Sequence, residues 1–94
     1  MDGSGVDAHR DRIDSIDDAL LKLLSERVRV AIELGRIKRH LGQPIRCMER
    51  ENFVIERAAR LSEGVLDTSA VSRLFRAIID ETRASEECHA ITPQ

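Results

Sequence analysis

The chain has 94 residues, of which 41% are apolar, 34% are charged and only 2% are aromatic, and its net charge is −2. This length predicts a single domain, and no apolar run reaches the ~18 residues that a membrane-spanning helix needs. The first ten residues contain no apolar signal core, which argues against secretion by that route. Nucleic-acid-binding proteins usually carry a strong basic excess or aromatic stacking surfaces, so this composition argues against that class as well.

The first predicted helix is unusually long. Residues 1–7 are rich in Gly, Ser and Asp, and we predict a disordered tail there. From Ala8 to His40 apolar residues recur at the three- and four-residue spacing of one helix face, and Gly42 and Pro44 then provide a stop. The residues of this face are Ile13, Ile16, Leu20, Leu23, Leu24, Val30, Ala31, Leu34, Ile37 and Leu41.

Two shorter helices follow. The second is predicted over Cys47–Ser62, and the third begins after the possible N-cap residues 67–69 and fades within Cys88–Ile91. No alternating strand pattern of useful length is present. The sequence therefore predicts an all-α domain over residues 8–90 with three helices, of which the first is the longest, and a C-terminal tail over residues 91–94.

The length of the first helix indicates a partner. A helix from Ala8 to His40 is about 50 Å long, whereas a compact globule of this chain length is only about 30 Å across. The helix must extend beyond anything that the chain builds alone, and its apolar face continues along the overhang. We therefore predict that a second copy of the chain buries this face in a homodimer.

Polar residues interrupt the inner faces of all three predicted helices. Arg27 occupies a core heptad position of the first helix, and Lys38 lies three turns further, about 16 Å away on the same face. Glu51 begins the apolar face of the second helix, and Thr82 and Glu86 lie on that of the third. Buried charges are costly unless paired. These residues therefore extend their charged ends to solvent, pair with one another, Arg27 with Glu51 for example, or line one ligand cavity, as facing side chains do in helical bundles.

Arg10 is a further candidate cation. It precedes Arg27 by seventeen residues, which is about 25 Å along the helix and too far for one small ligand to contact both. Arg10 is therefore either a solvated arginine among Asp7, Asp11 and Asp14, or a residue that completes the site of a partner subunit.

The cysteines and lysines are few. Cys47 and Cys88 have neither the density of a disulfide framework nor the spacing of zinc ligands, so we expect two reduced thiols, no metal and a cytoplasmic location. Of fifteen basic residues only Lys22 and Lys38 are lysines. We expect Lys22 to face solvent, so Lys38 is the lysine of interest.

With these residues in view, the chain resembles the all-helical class of chorismate mutases from about Arg10 to Glu86. Each matching segment alone is a generic helical pattern, but the ordered set at these separations is specific. The segments are Arg10-x-x-Ile13-Asp14-x-Ile16-Asp17-x-x-Leu20-Leu21-x-Leu23-Leu24-x-x-Arg27, then Gly35-x-x-Lys38, then Pro44-Ile45-Arg46-x-x-x-Arg50-Glu51, and then Arg73-Leu74-Phe75-x-x-Ile78-Ile79.

The resemblance implies an enzyme of the shikimate pathway that rearranges chorismate to prephenate in aromatic amino acid biosynthesis, without cofactor or metal. It also implies an intertwined homodimer with two active sites. Arg10 of one subunit and Arg27 of the other would hold the two carboxylates of chorismate. Lys38 would contact a carboxylate and the ether oxygen, and a protonated Glu86 would face that same oxygen. Arg27, Lys38 and Glu86 are accordingly the expected catalytic residues.

The resemblance assigns the ring end of the substrate to other residues. Glu51 would accept a hydrogen bond from the ring hydroxyl, Arg50 would support it, and Thr82 would touch a carboxylate. Cys47 stands where the well-known enterobacterial member has an acidic residue, and a thiol is a weak acceptor. Cys47 is therefore either a tolerated replacement or a sign of another substrate, such as 4-amino-4-deoxychorismate or isochorismate.

The rearrangement suits such a cavity because it is concerted and intramolecular and needs no nucleophile. The protein can restrain the substrate's conformation and stabilise the negative charge that grows on the ether oxygen.

Four alternatives remain open: an aminodeoxychorismate mutase, an isochorismate-pyruvate lyase, a non-catalytic helical dimer with a regulatory role, and a mutase that works in complex with a larger shikimate-pathway enzyme. The lyase, as the family is known, lacks the segment formed here by Arg46, Arg50 and Glu51.

Overall fold

The computed structural model describes residues 3–91, and the side chains of residues 5–89. The chain forms three α-helices: α1 (Gly3–Leu41), α2 (Met48–Leu61) and α3 (Thr68–Ile91). Helix α3 packs against both α1 and α2, and there is no β-strand between residues 3 and 91. The predicted all-α class with a long first helix is confirmed.

The helix boundaries follow local signals, with one difference at the N-terminus. Helix α1 begins at Gly3 rather than at Ala8, so the tail predicted over residues 1–7 is wrong for residues 3–7, and Met1 and Asp2 lie outside the described residues. Extending an existing helix gains a backbone hydrogen bond per residue without a new nucleus, and no proline stops the extension. At the other end Gly42 has a φ of 73°, a left-handed conformation that terminates α1.

The later boundaries agree closely with the prediction. Cys47 is the N-cap of α2 and Ser62 its C-cap, and Asp67 caps α3 by accepting a hydrogen bond at 2.7 Å from the backbone N–H of Ala70. Helix α3 ends at Ile91, the residue at which we predicted the C-terminal tail to begin. Residues 92–94 of that tail lie outside the described part of the chain.

The core of the single chain is small, and α1 has two apolar faces. Ile32 on α1 is buried with Val71 and Ile79 of α3, and these are the buried apolar residues of the described chain. The face predicted from the sequence is a different one, and most of it is about half exposed or more: Ile13, Ile16, Leu20, Leu23, Val30, Leu34, Ile37 and Leu41. The molecule is correspondingly elongated, with extents of 61 × 32 × 14 Å.

Candidate active site

A cavity of about 410 Å³ lies between the C-terminal half of α1, the loop 42–47, the first half of α2 and the C-terminal half of α3. Its apolar lining includes Leu23, Val30, Leu34, Ile45, Val54 and Ile79. We call it the polar cavity because of its other lining residues. Of the eight predicted site residues, seven line it: Arg27, Lys38, Cys47, Arg50, Glu51, Thr82 and Glu86. The eighth, Arg10, is exposed near the N-terminal end of α1 and does not line the cavity.

The two cations of α1 point into the polar cavity from one face, as their spacing predicted. Arg27 donates a hydrogen bond from Nη1 to Thr82 Oγ1 at 3.0 Å, and the Thr82 hydroxyl donates in turn to the Ile78 carbonyl at 2.7 Å. Lys38 Nζ donates to the Ile45 carbonyl of the loop at 3.3 Å. Neither cation forms a salt bridge with a carboxylate of the described residues, so both retain positive charge for an anionic ligand.

Glu51 lies at the opposite wall, held by three arginines. Its oxygens accept hydrogen bonds from Arg46 at 3.1 and 3.3 Å, from Arg76 at 2.9 Å and from Arg83 at 3.4 Å. Hydrogen bonds from Arg46 and then Arg76 hold the pKa of the Glu51 carboxyl below its ordinary value, although burial opposes them. Glu51 is therefore ionised and fixed in position, with a side chain only 11% exposed.

The partners of Glu51 correct two expectations. Arg27 does not pair with it, because Arg27 bonds to Thr82 instead. Arg50 does not support it either: the Arg50 guanidinium lies over the Phe53 ring, 5.3 Å from its centre. Arg50 is one residue before Glu51, and successive residues of a helix point in different directions.

Sequence reasoning missed Arg76 and Arg83 as partners of Glu51. Their seven-residue spacing puts both on one face of α3, and that was the available signal. Asp80 lies between them and accepts a hydrogen bond from Arg83 at 3.3 Å, with Arg76 at 3.7 Å. This cluster ties the loop and α2 to α3 through charge-assisted hydrogen bonds.

Glu86 is the remaining carboxyl of the cavity that matters for chemistry. Burial raises the pKa of Glu86 above its ordinary value, and the opposing positive charges of Lys38, Arg39 and Arg83 do not cancel this effect. The raised pKa favours the protonated form, which can donate a hydrogen bond. A cation pair and a protonatable carboxyl thus share one cavity.

Fold and cavity together define an α-helical protein with a cavity between its helices, whose lining cations suit a small anionic ligand. The chain belongs to the family of type II chorismate mutases, whose family model matches residues 9–87. It is 41% identical over 91 residues to the bifunctional chorismate mutase/prephenate dehydratase of Pseudomonas aeruginosa, and the match covers 92% of this chain but 25% of that protein. The chain thus spans about a quarter of that bifunctional relative's length.

Relatives named only as chorismate mutases match over most of their own length. The chorismate mutase of Methanocaldococcus jannaschii is 34% identical over 79 residues, which cover 83% of this chain and 80% of that protein. The chorismate mutase (form II) of Thermus thermophilus superposes with a TM-score of 0.85 at 29% identity, over 87% of this chain and 93% of that one. The fold is also that of the Helicobacter pylori enzyme, solved in complex with prephenate, with a TM-score of 0.87 at 23% identity, over 97% and 99% of the two chains.

The Glu51 cluster makes a prediction about stability. Because the pKa of Glu51 is lowered in the folded chain, ionised Glu51 stabilises the fold above its unfolded pKa of about 4.3, and this stabilisation is lost as the pH falls through the lower folded value. The Glu51→Gln variant should lose roughly 1–2 kcal/mol at neutral pH, since the arginines are partly solvated. Its stability should also vary less with pH in the acidic range.

The measurement is urea unfolding over a pH series at fixed protein concentration. The matched control is Glu49→Gln, which removes an exposed carboxylate from the same first turn of α2. Equal losses of stability in the two variants would show that the arginine cluster contributes nothing specific.

Proposed function

We propose that the chain is an isomerase that rearranges chorismate to prephenate within the polar cavity. The observation that carries the proposal is the placement of Arg27 and Lys38, free of carboxylate partners among the described residues, in one cavity with Glu86, whose pKa is raised. A substrate with two carboxylates and an ether oxygen matches this set of groups. Relatives that the chain matches over most of its length carry the same activity in their names.

The chemistry is balanced within the substrate itself. The ether carbon–oxygen bond breaks as a carbon–carbon bond forms, and no proton or group is transferred to the protein. Arg27 would bind a carboxylate, supported by its bond to Thr82. Lys38 would leave the Ile45 carbonyl for a carboxylate and the ether oxygen, and protonated Glu86 would donate to that oxygen. Groups fixed in this way hold the reactive conformation and stabilise the charge that develops.

The ring hydroxyl is assigned to Glu51, with one condition that the structure adds. A carboxylate has about four lone-pair sites, and the Glu51 oxygens already accept four hydrogen bonds from arginines. A ring hydroxyl must therefore displace or share one of them. Arg46 is the one to yield, because it lies in the loop and is the most exposed of the three arginines.

The same cluster favours a hydroxyl over an amine on the substrate ring. Three guanidinium groups surround the single carboxylate of Glu51, and Cys47, which also lines this cavity, adds no acidic group. A cationic amine would meet net positive charge there. We therefore favour chorismate over 4-amino-4-deoxychorismate, and assign Cys47 no more than contact with the substrate.

The active form is proposed to be an intertwined homodimer. The exposed apolar face of α1 needs a cover, and the chain also exposes a groove between α2 and α3 of about 740 Å³, lined by Phe53, Leu61, Val65, Leu66 and Phe75. In a symmetric dimer the apolar α1 face of each copy can pack into the apolar groove of the other copy. In this arrangement Arg10 reaches the partner's cavity.

We also propose a partner enzyme and a cellular location. Relatives such as that of P. aeruginosa are named as joining a chorismate mutase to a prephenate dehydratase, which supports a partnership with another shikimate-pathway enzyme. No helix of the described chain is long and apolar enough to cross a membrane. We expect the protein to act in the cytoplasm.

The direct test follows chorismate by its ultraviolet absorbance while prephenate is identified as the product. Isochorismate and the 4-amino analogue are assayed in parallel. Consumption of chorismate alone supports the proposal, release of pyruvate from isochorismate would indicate a lyase, and no consumption of any of the three would indicate a binding or regulatory dimer.

Removing the ammonium group of Lys38 should abolish most of the activity. We expect the Lys38→Ala variant to lose roughly 10²–10³-fold in kcat, the effect of removing one donor from a developing negative charge. Lys22→Ala is the matched control, since it removes the other lysine of α1 from an exposed position. Equal kcat in the two variants would contradict the role of Lys38.

Activity should decline as the pH rises. Glu86 donates a hydrogen bond only when protonated, and its pKa lies above the ordinary value of about 4.3. The protonated fraction of Glu86 is high below its folded pKa and is lost as the pH rises through that value.

The Glu86→Gln variant tests this, because an amide donates at every pH. Its pH–rate profile should be flat where that of the unmodified chain falls. Two profiles of the same shape would remove Glu86 from the mechanism.

A further inference from the structure

Gly35 is a buried glycine in the interior of α1, and it faces Glu86. A Cβ atom at this position would lie 2.9 Å from Glu86 Oε2 and 3.8 Å from Arg39 Nη1. The backbone does not require glycine here, because the positive φ angles of the described glycines belong to Gly42 and Gly64. Glycine in a helix interior is unfavourable relative to alanine. What a side chain at this position would disturb is the Glu86 carboxyl, which occupies the space next to Gly35.

The absence of a side chain at Gly35 allows Glu86 of α3 to lie close to Lys38 of α1. Gly35 and Lys38 are three residues apart, so they lie on the same face of α1, one turn from each other. The Glu86 carboxyl reaches from α3 onto the α1 backbone at Gly35 and feels the charge of Lys38 there. Its burial in this place is also what raises its pKa.

We propose that Gly35 is a positioning residue for Glu86: the absence of a side chain at Gly35 allows the Glu86 carboxyl to pack against α1, in the place from which it donates to the ether oxygen. This inference rests on the proposed function. Gly35 itself touches no reacting atom and acts through Glu86.

The Gly35→Ala variant, which adds one methyl group, distinguishes a positioning role of Gly35 from a role in folding. In the Gly35→Ala variant the carboxyl oxygen must withdraw by about 0.5 Å or more to reach ordinary contact distance. The displaced atom is the end of a flexible side chain, so the fold is kept, and alanine favours the helix. Misplaced catalytic groups are costly in rate. We therefore expect kcat to fall on the order of tenfold, with an unchanged KM and an unchanged or higher Tm.

Two comparisons isolate the effect. Gly5→Ala makes the same exchange in α1 where a Cβ would meet nothing within 4 Å, and should leave kcat unchanged. In a Glu86→Ala background there is no carboxyl to displace, so adding Gly35→Ala should lower kcat no further. Full kcat in the single Gly35→Ala variant, or the same fold-loss in the Glu86→Ala background, would overturn the proposal.

A second readout does not depend on the reaction. The carboxyl carbon of Glu86 can be titrated by NMR in the unmodified chain and in Gly35→Ala, where Lys38, Arg39, Arg83 and Glu87 are the charged neighbours in both. Withdrawal from the helix should expose the carboxyl to water and lower its pKa, while Gly5→Ala leaves it unchanged. An unaltered Glu86 pKa would overturn the positioning role. If the Glu86 pKa falls as expected but the unmodified chain does not consume chorismate, only the proposed function is overturned.

Discussion

The length of α1 is the constraint on which the rest of the structure depends. With 39 residues it is about 58 Å long, and α3 packs only on its C-terminal half, where the two helices form the small core. The polar cavity lies along this C-terminal half, because its lining residues come from all three helices. The remainder of α1 carries exposed aliphatic residues, which we attribute to a surface that a second copy covers.

Inside the cavity, the distribution of ion pairs determines which charges remain available. Arginines of α3 and of the loop occupy the Glu51 carboxylate. Arg27 and Lys38 therefore hydrogen-bond only to neutral oxygens, those of Thr82 and Ile45. A ligand carboxylate can replace these neutral partners with charge-assisted hydrogen bonds, which are about twice as strong. The cluster around Glu51 thus keeps that carboxylate away from the cations of α1 and leaves them available to an anionic ligand.

The sequence predicted those features that depend on spacing along one helix. Arg27 and Lys38 share a face because eleven residues make three turns, and the helix ends follow from Gly42 and Asp67. It could not predict choices made between helices. Apolar spacing alone did not reveal that α1 has two apolar faces, one packed on α3 and one exposed. Nor could it assign the partners of Glu51. Helix geometry argues against the adjacent Arg50, but only positions in space select Arg46 of the loop and Arg76 and Arg83 of α3.

We propose that Arg10 of a second copy completes each polar cavity. The most direct measurement mixes Arg10→Ala and Arg27→Ala subunits, each inactive alone, by unfolding and refolding them together in equal amounts. Random pairing makes half of the dimers mixed, and each mixed dimer has one site with both arginines intact, so about one quarter of the unmodified activity should return. If the mixture is no more active than its two components, Arg10 does not act across a dimer interface.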